Sequence, residues 1–226
     1  TSYMPDPSIG SKKHFQDMIA QSVLAEELNY QTVSVPEHHL VNLLMMPSPL
    51  QMAVKIASVT KKINITTSVA VLPLHDMRTY AGEVATADIL TEGRLTLGVG
   101  RGAFSWEMNR LGSPINKSKE KFQESLEVLK HLLDEEEVSW NGKYYKFDSL
   151  TIMPRPIHPN GPQMMMAVMQ PERIYNATKR GFHIQTKFTQ AKYVNVLKGK
   201  ILDVVIDLRK KSKTFGKFFK IILSAK

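Results

Sequence analysis

Apolar side chains recur at helical and then at strand-like spacing from the start of the chain. In the segment 11–29 the apolar residues Phe15, Ile19, Val23, Leu24 and Leu28 fall on one helical face. This spacing predicts a first helix over 11–29. The following segment, 31–36, is predicted to be a short strand. This strand would place Glu37, His38 and His39 directly at its carboxyl end.

The same alternation continues to about residue 180. It predicts helices near 48–60, 78–90, 117–135 and from 171 onward, strands at 63–72, 94–99 and 164–169, and a β-hairpin over 138–152 with a turn signal at Asn141-Gly142. Residues 103–116 show no clear period and are predicted to be an insertion at a strand end. Four strands, each followed by a helix, fit part of a (β/α)₈ barrel of the TIM type better than an open sheet. The predicted fold class is therefore α/β.

The end of the chain has a different pattern and a different charge. From Lys192 onward the apolar residues alternate with a period of two, which predicts short antiparallel strands. Residues 1–186 carry 19 Lys and Arg against 19 Asp and Glu, whereas residues 187–226 carry 11 against 2. A neutral body with a basic end indicates either a nucleic-acid tail or two unrelated pieces. The lysines lie at turns and on strand faces rather than in one block, so two pieces are favoured.

Composition narrows the possible chemistry. The chain has no cysteine, which excludes disulfides, thiolate zinc sites and thiol nucleophiles, so redox chemistry would need a bound cofactor. It also lacks a run of about 18 apolar residues and the layout of a signal peptide. We therefore expect a soluble, cytoplasmic protein that has no membrane partner.

The most suggestive chemical group is Glu37-His38-His39, because catalytic side chains of a parallel barrel lie at the carboxyl ends of its strands. Imidazole exchanges protons near neutral pH. Two adjacent histidines on an extended chain point in different directions, so they would not both bind one metal. The alternative is that both are loop histidines satisfied by nearby backbone.

Two further motifs lie at predicted strand ends. Arg101 stands between two glycines, and a guanidinium beside a closely approaching backbone suits a phosphate. The alternative is an ordinary strand exit with a solvated arginine. His75-Asp76 is either an acid/base pair or a loop in which Asp76 caps the next helix, and the cap is favoured.

The order of these motifs resembles the bacterial luciferase-like flavin monooxygenases. The blocks that carry the resemblance are Glu37-His38-His39, residues 67–76 (TSVAVLPLHD), residues 83–94 (EVATADILTEGR) and residues 98–102 (GVGRG). The likeness continues through residues 122–129, 140–147 and 154–156, so it covers about residues 1–183. It implies an incomplete luciferase-like barrel domain over 1–183.

The resemblance also implies a function and its residues. Family members hold reduced FMN in a (β/α)₈ barrel and use O₂ to oxidise an aldehyde or another small organic substrate. By resemblance, His38 lies near the flavin ring and serves in proton transfer or in stabilising an intermediate, with Glu37 beside it in the cofactor site. Ala70 would lie beneath the ring, and Arg101 would contact the FMN phosphate. Gln170 replaces the serine that helps to hold phosphate in the family.

The basic end is similar to the dTDP-4-keto-6-deoxysugar 3,5-epimerases, which are cupin-like β-sandwich enzymes. The similarity rests on residues 180–185 (RGFHIQ), 192–199 (KYVNVLKG), 203–209 (DVVIDLR) and 214–217 (TFGK). It implies a cupin-type β fragment over 184–226. By resemblance, His183 matches the catalytic base, with Arg180 and Lys192 at substrate-binding positions.

These observations lead to three functional hypotheses. The first is an FMN-dependent monooxygenase with a small-molecule substrate and O₂, for which a flavin reductase is a candidate partner and a homo- or hetero-dimer the expected assembly. The second is a sugar-nucleotide 3,5-epimerase fragment or a non-catalytic chimera, in which both halves are cut inside their folds and activity is lost through truncation. The third, nucleic-acid binding, is suggested by charge alone.

Overall fold

The computed structural model describes residues 8, 10–41, 45–167 and 213, and the backbone of residues 200–206 and 218–224. The chain divides into two compact units, Thr1–Ala167 and Val168–Lys226. The elements described in the first unit are α1 (Ser11–Glu27), β1 (Thr32–Val35), α2 (Pro49–Ala57), β2 (Asn64–Thr67), β3 (Ala70–Val71), a 3₁₀ turn (Leu72–Leu74), α3 (Met77–Leu90), β4 (Leu95–Gly100), α4 (Ser105–Arg110), α5 (Ile115–Asp134), β5 (Val138–Asn141), β6 (Lys146–Leu150) and β7 (Gln163–Met166).

Five of these strands form one parallel sheet. The order is β1-β2-β4-β3, and β7 also pairs with β4. In the parallel register Val35 lies beside Thr67, Ile65 beside Leu95 and Val99 beside Met166. The chain passes through at least one helix between the two members of every paired set of parallel strands, as parallel pairing requires. The predicted α/β class is therefore confirmed for the first unit, while closure of the sheet into a barrel stays a prediction.

The predicted single strand over 63–72 is wrong, because the structure divides it into β2 and β3. Both segments pair with β4, β2 near its start and β3 at its end. Between them the Ser68 N–H donates to Val35 O at 2.7 Å, and the Thr67 hydroxyl donates to Gly98 O at 2.7 Å. Residues 68 and 69 thus interrupt the regular hydrogen-bond ladder, and the chain pairs with β4 again from Ala70 onward.

The core lies between the sheet and its helices. Ile65 and Leu97 of the sheet are fully buried, as are Leu129 and Leu133 on the inner face of α5. Helix α3 packs against both α2 and α5. Helices in a protein are stabilised mainly by the burial of one apolar face, and it is this apolar face that the sequence pattern used to predict them.

Two local predictions are corrected or refined. Residues 103–116 are not an irregular insertion, because they contain the short helix α4, in which Glu107 and Met108 are buried. The hairpin of β5 and β6 is confirmed, but Asn141 pairs with Lys146, so the connection has four residues, 142–145. A carboxylate, Glu124 of α5, accepts the N–H groups of residues 143–145 and determines this longer turn.

In the second unit the described elements are β8 (Lys200–Ile206) and β9 (Phe218–Ser224). They pair antiparallel, with Lys200 opposite Ser224 and Ile206 opposite Phe218. The predicted short antiparallel strands are confirmed for these two segments. The predicted helix after 171 and the predicted domain boundary at 183 lie outside the described residues. In the described part of the chain, no helix is both long and apolar enough to cross a bilayer.

Candidate functional site

The carboxyl ends of three strands of the sheet carry the residues that the sequence singled out. Strand β1 leads into Glu37 and His38, β3 contains Ala70, and β4 leads into Arg101. Ala70 lies beside Val99 in the register of β3 and β4. Because parallel strands end at the same edge of a sheet, these positions share one edge.

Glu37 is the centre of this edge, and only 2% of the residue is exposed. Its Oε1 accepts hydrogen bonds from the Nε2 atoms of His39 at 2.7 Å and His75 at 2.8 Å, and its Oε2 accepts the Val71 N–H at 2.8 Å. Burial favours the neutral acid, but these hydrogen bonds and the attraction to His75 outweigh it and lower the pKa of Glu37 to about 2. Glu37 is thus an ionised, fully partnered carboxylate that ties β1 to β3.

The two histidines bound to Glu37 have different surroundings. The hydrogen bond to Glu37 raises the pKa of His39; partial burial opposes this rise, and the charges of Glu37 and Glu107 reinforce it. The His75 ring stacks on Tyr80, with ring centroids 4.2 Å apart. Tyr80 is buried and its hydroxyl has no hydrogen-bond partner among the described residues. Burial, reinforced by the charges of Glu37 and Glu83, raises the pKa of Tyr80 well above its usual value.

His38 faces a second carboxylate. Its backbone N–H donates to Met46 O at 2.9 Å, and its ring lies 5.2 Å from that of Phe104 between centroids. Its Nδ1 is 3.5 Å from Oε2 of Glu107 but is buried without a hydrogen bond in the part of the chain that the structure describes. About a fifth of the side chain, 22%, is exposed. The adjacent rings of His38 and His39 therefore approach different carboxylates, as expected for an extended chain.

Glu107 is the functional candidate that the sequence prediction missed. It belongs to α4, its side chain is only 4% exposed, and its Oε1 accepts the backbone N–H of His39. A single glutamate in a segment without clear periodicity gives no local signal. Its role depends on contact with a loop 68 residues earlier in the chain.

The remaining predicted residues have contrasting environments. Ala70 is fully buried, so in this structure it lies within the sheet rather than at an open surface. Arg101 is exposed, and no ion pair or hydrogen bond of its guanidinium is found among the described residues. Gly102 follows with φ +83°. A Cβ at Gly102 would lie 2.4 Å from the Met108 sulfur, so glycine is needed for this close approach.

The cap hypothesis for His75-Asp76 is confirmed. The Asp76 side chain accepts the Arg78 N–H at 3.0 Å at the start of α3, and His75 binds Glu37 rather than Asp76. The less favoured alternative, an acid/base pair of these two neighbours, is not supported, since neither side chain contacts the other among the described hydrogen bonds. The residues of the epimerase hypothesis, Arg180, His183 and Lys192, lie outside the described residues, as does Gln170.

The chain is similar in sequence to known proteins. A sequence model of the luciferase-like monooxygenase family matches residues 1–195. The oxygenase component of the flavin-dependent trigonelline monooxygenase of Acinetobacter baylyi is 27% identical over 176 residues, which cover 77% of this chain and 49% of that protein. The chain spans about half the length of the curated relatives it matches.

Solved structures share the fold. Monooxygenase RslO1 from Streptomyces bottropensis superposes with a TM-score of 0.74 at 26% identity, covering 78% of this chain and 55% of that one. The oxygenating constituent of 3,6-diketocamphane monooxygenase from Pseudomonas putida, in complex with FMN, gives 0.71 at 20% identity over 80% and 53%. An F420-dependent secondary alcohol dehydrogenase with an F420-acetone adduct gives 0.61 at 20% over 70% and 49%.

Proposed function

The chain belongs to the luciferase-like monooxygenase family, and from this premise we propose that it is a flavin-dependent monooxygenase that uses reduced FMN and O₂ to oxidise an aldehyde or another small organic substrate. The observation that carries the proposal is the grouping of His38, Glu37 and Arg101 at one edge of the parallel sheet. Active sites of parallel α/β proteins are built at this edge. We further propose that the sheet belongs to a (β/α)₈ barrel.

The residues at this edge fit a flavin nucleotide by their chemistry. Arg101 is an exposed guanidinium with no described carboxylate partner, so it is free to bind a phosphate group in a bidentate manner. His38 offers a partly exposed imidazole. In this proposal Arg101 holds the phosphate, and Glu37, His38 and the β3 end at Ala70 line the ring site.

Bound FMN would supply the redox chemistry with O₂, and the protein would supply binding, orientation and proton transfer. His38 is the group proposed to exchange a proton with the reacting centre, because its imidazole is partly exposed at this edge, whereas those of His39 and His75 are bound to Glu37. Glu37 would not exchange protons itself, since its low pKa keeps it ionised. Its role is to fix the loop after β1 to the end of β3.

The family context also suggests partners. The relative from Acinetobacter baylyi is named as an oxygenase component, which supports the proposal that a separate reductase supplies the reduced flavin here too. A homo- or hetero-dimer is the proposed assembly. FMN is proposed rather than the deazaflavin F420, and an F420 titration run beside the FMN titration distinguishes them.

The test is a titration of the purified chain with FMN and, separately, with riboflavin, followed by fluorescence quenching. Arg101→Ala should weaken FMN binding about 10- to 100-fold, the loss expected for a charged hydrogen bond of about 1.5–3 kcal/mol. Riboflavin, which lacks the phosphate, should bind equally to both proteins. Arg110→Ala is the control, because it removes another exposed arginine, whose guanidinium lies over Trp106.

Two results would contradict the proposal. If FMN quenching shows no saturable binding, the site does not hold a flavin in this chain. If Arg101→Ala weakens FMN and riboflavin equally, Arg101 is not the phosphate ligand. The epimerase alternative stays a prediction for the basic end, and it requires deuterium exchange at C3 or C5 of a dTDP-4-keto-6-deoxysugar.

A further inference from the structure

We propose that Glu107 is a positioning residue that fixes the tautomer of His38, with the proton on Nδ1 and the lone pair on Nε2. The tautomer itself does not depend on the proposed function. Only the role of the Nε2 lone pair in proton transfer rests on that function. It starts from an unpartnered atom: Nδ1 of His38 is buried without a hydrogen bond among the described residues, and a carboxylate oxygen lies 3.5 Å away.

The carboxylate cannot easily leave this position. Oε1 of Glu107 accepts the backbone N–H of His39, so one oxygen is already committed to the same loop. Helix α4 is anchored by Met108. The Met108 side chain is fully buried, and its carbonyl accepts the Ser113 N–H at 2.9 Å. Oε2 is therefore left directed toward the neighbouring side chain, that of His38.

The position of His38 is fixed as well. Its backbone N–H is bound to Met46 O, and Phe104 lies against its ring. At 3.5 Å the Nδ1 to Oε2 distance exceeds that of a good hydrogen bond, and a small rotation of the imidazole would close it.

The chemistry of the two groups then decides the tautomer. An ionised carboxylate only accepts hydrogen bonds, whereas a neutral imidazole has one donor and one acceptor nitrogen. With the proton on Nδ1, the ring donates to Glu107. With the proton on Nε2, two lone pairs would face each other in a buried place, which costs free energy. The Nε2 lone pair therefore remains available as a proton acceptor.

An amide at position 107 should reverse this arrangement. In Glu107→Gln the side-chain oxygen must occupy the Oε1 position, because only an acceptor can take the His39 N–H. The NH₂ group then faces Nδ1 of His38 and donates to it. The proton of the imidazole must move to Nε2, so the acceptor nitrogen at the site becomes a donor.

The test uses the full chain with ¹⁵N-labelled histidine and long-range ¹H–¹⁵N spectra, which distinguish the two neutral tautomers. The chain has seven histidines, and the His38 signals are those missing from a His38→Gln variant. We expect Nδ1–H in the wild type and Nε2–H in Glu107→Gln, with no change in Glu136→Gln, an exposed carboxyl-to-amide control.

An Nε2–H tautomer in the wild-type protein would overturn the inference, and so would the same tautomer in wild type and Glu107→Gln. The wild-type spectrum alone can refute the assigned tautomer, even if the variant does not fold. The measurement needs no flavin, so failure of FMN binding leaves it unaffected and is a separate result. If both proposals hold, Glu107→Gln should lower kcat at least tenfold, because Nε2 of His38 can no longer accept a proton. The Kd for FMN should stay within about twofold of the wild-type value, because Arg101 still binds the phosphate.

Discussion

Glu37→Gln removes the negative charge at the centre of the site and keeps nearly the same shape. The wild-type carboxylate accepts two imidazole N–H groups on one oxygen and the Val71 N–H on the other. An amide can satisfy Val71 through its oxygen, but its NH₂ group then meets the two imidazoles without a charge. The variant therefore loses both the ion pairing and the charge-assisted hydrogen bonds of the cluster.

The size of the effect follows from the pKa of Glu37, which falls from 4.5 to about 2 on folding. At about 1.4 kcal/mol for each pH unit, this lowering of the pKa corresponds to roughly 3 kcal/mol of stability in the ionised state. We therefore expect Glu37→Gln to lower the free energy of unfolding by about 3 kcal/mol near pH 6.

The direction of the pH dependence differs for the two titrating partners. The lowered pKa of Glu37 contributes stability that is present above about pH 4.5 and is lost as the pH falls toward 2. The raised pKa of His39 contributes stability that is present below about pH 6.5 and is lost as the pH rises through its folded value. The cluster should therefore stabilise the fold most between about pH 4.5 and 6.5. In Glu37→Gln, stability should show neither the loss toward pH 2 nor the loss at high pH.

The assay is urea unfolding followed by tryptophan fluorescence at several pH values. Both tryptophans, Trp106 and Trp140, belong to the first unit, so the signal reports the unit that contains Glu37. The difference in unfolding free energy between wild type and Glu37→Gln should shrink by about 2 kcal/mol from pH 6 to pH 3. Glu136→Gln serves as the exposed control. A difference that stays constant over this range would refute the assignment of an ionised, buried Glu37.

Two further changes test the packing around the site. Gly98→Ala should lower the unfolding free energy of the first unit by more than 3 kcal/mol in urea, because the new Cβ would lie 2.0 Å from Thr67 O. In the control Gly112→Ala the new Cβ meets no atom within 4 Å, so the loss should be only about 1 kcal/mol, caused by the φ of +72°. Equal losses in the two variants would contradict the close approach at Gly98. Glu124→Ala should cost about 2 kcal/mol and speed amide hydrogen exchange at residues 143–145, whose N–H groups the carboxylate accepts; unchanged exchange there would contradict this anchor.

The amino-acid sequence by itself determined most helices and strands of the first unit and the edge at which the site lies, but not α4 or the division of the predicted strand 63–72. Helical and strand periods differ, so the apolar pattern identified α1 and β1 and their order. Because parallel strands share an edge, Glu37-His38-His39 after β1 and Arg101 after β4 could be assigned to the same region from their positions along the chain. The capping role of Asp76 was equally local, since its partner is two residues away.

Only the tertiary structure decided which groups these residues meet. The division of the predicted strand 63–72 depends on a hydrogen bond from Ser68 to Val35, which no local pattern contains. Glu37 meets His75 across 38 residues, and Glu107 meets His39 across 68. Such contacts arise because folding brings distant strand ends and helices to one place. A buried carboxylate becomes an ionised partner of a histidine only where that packing supplies its donors.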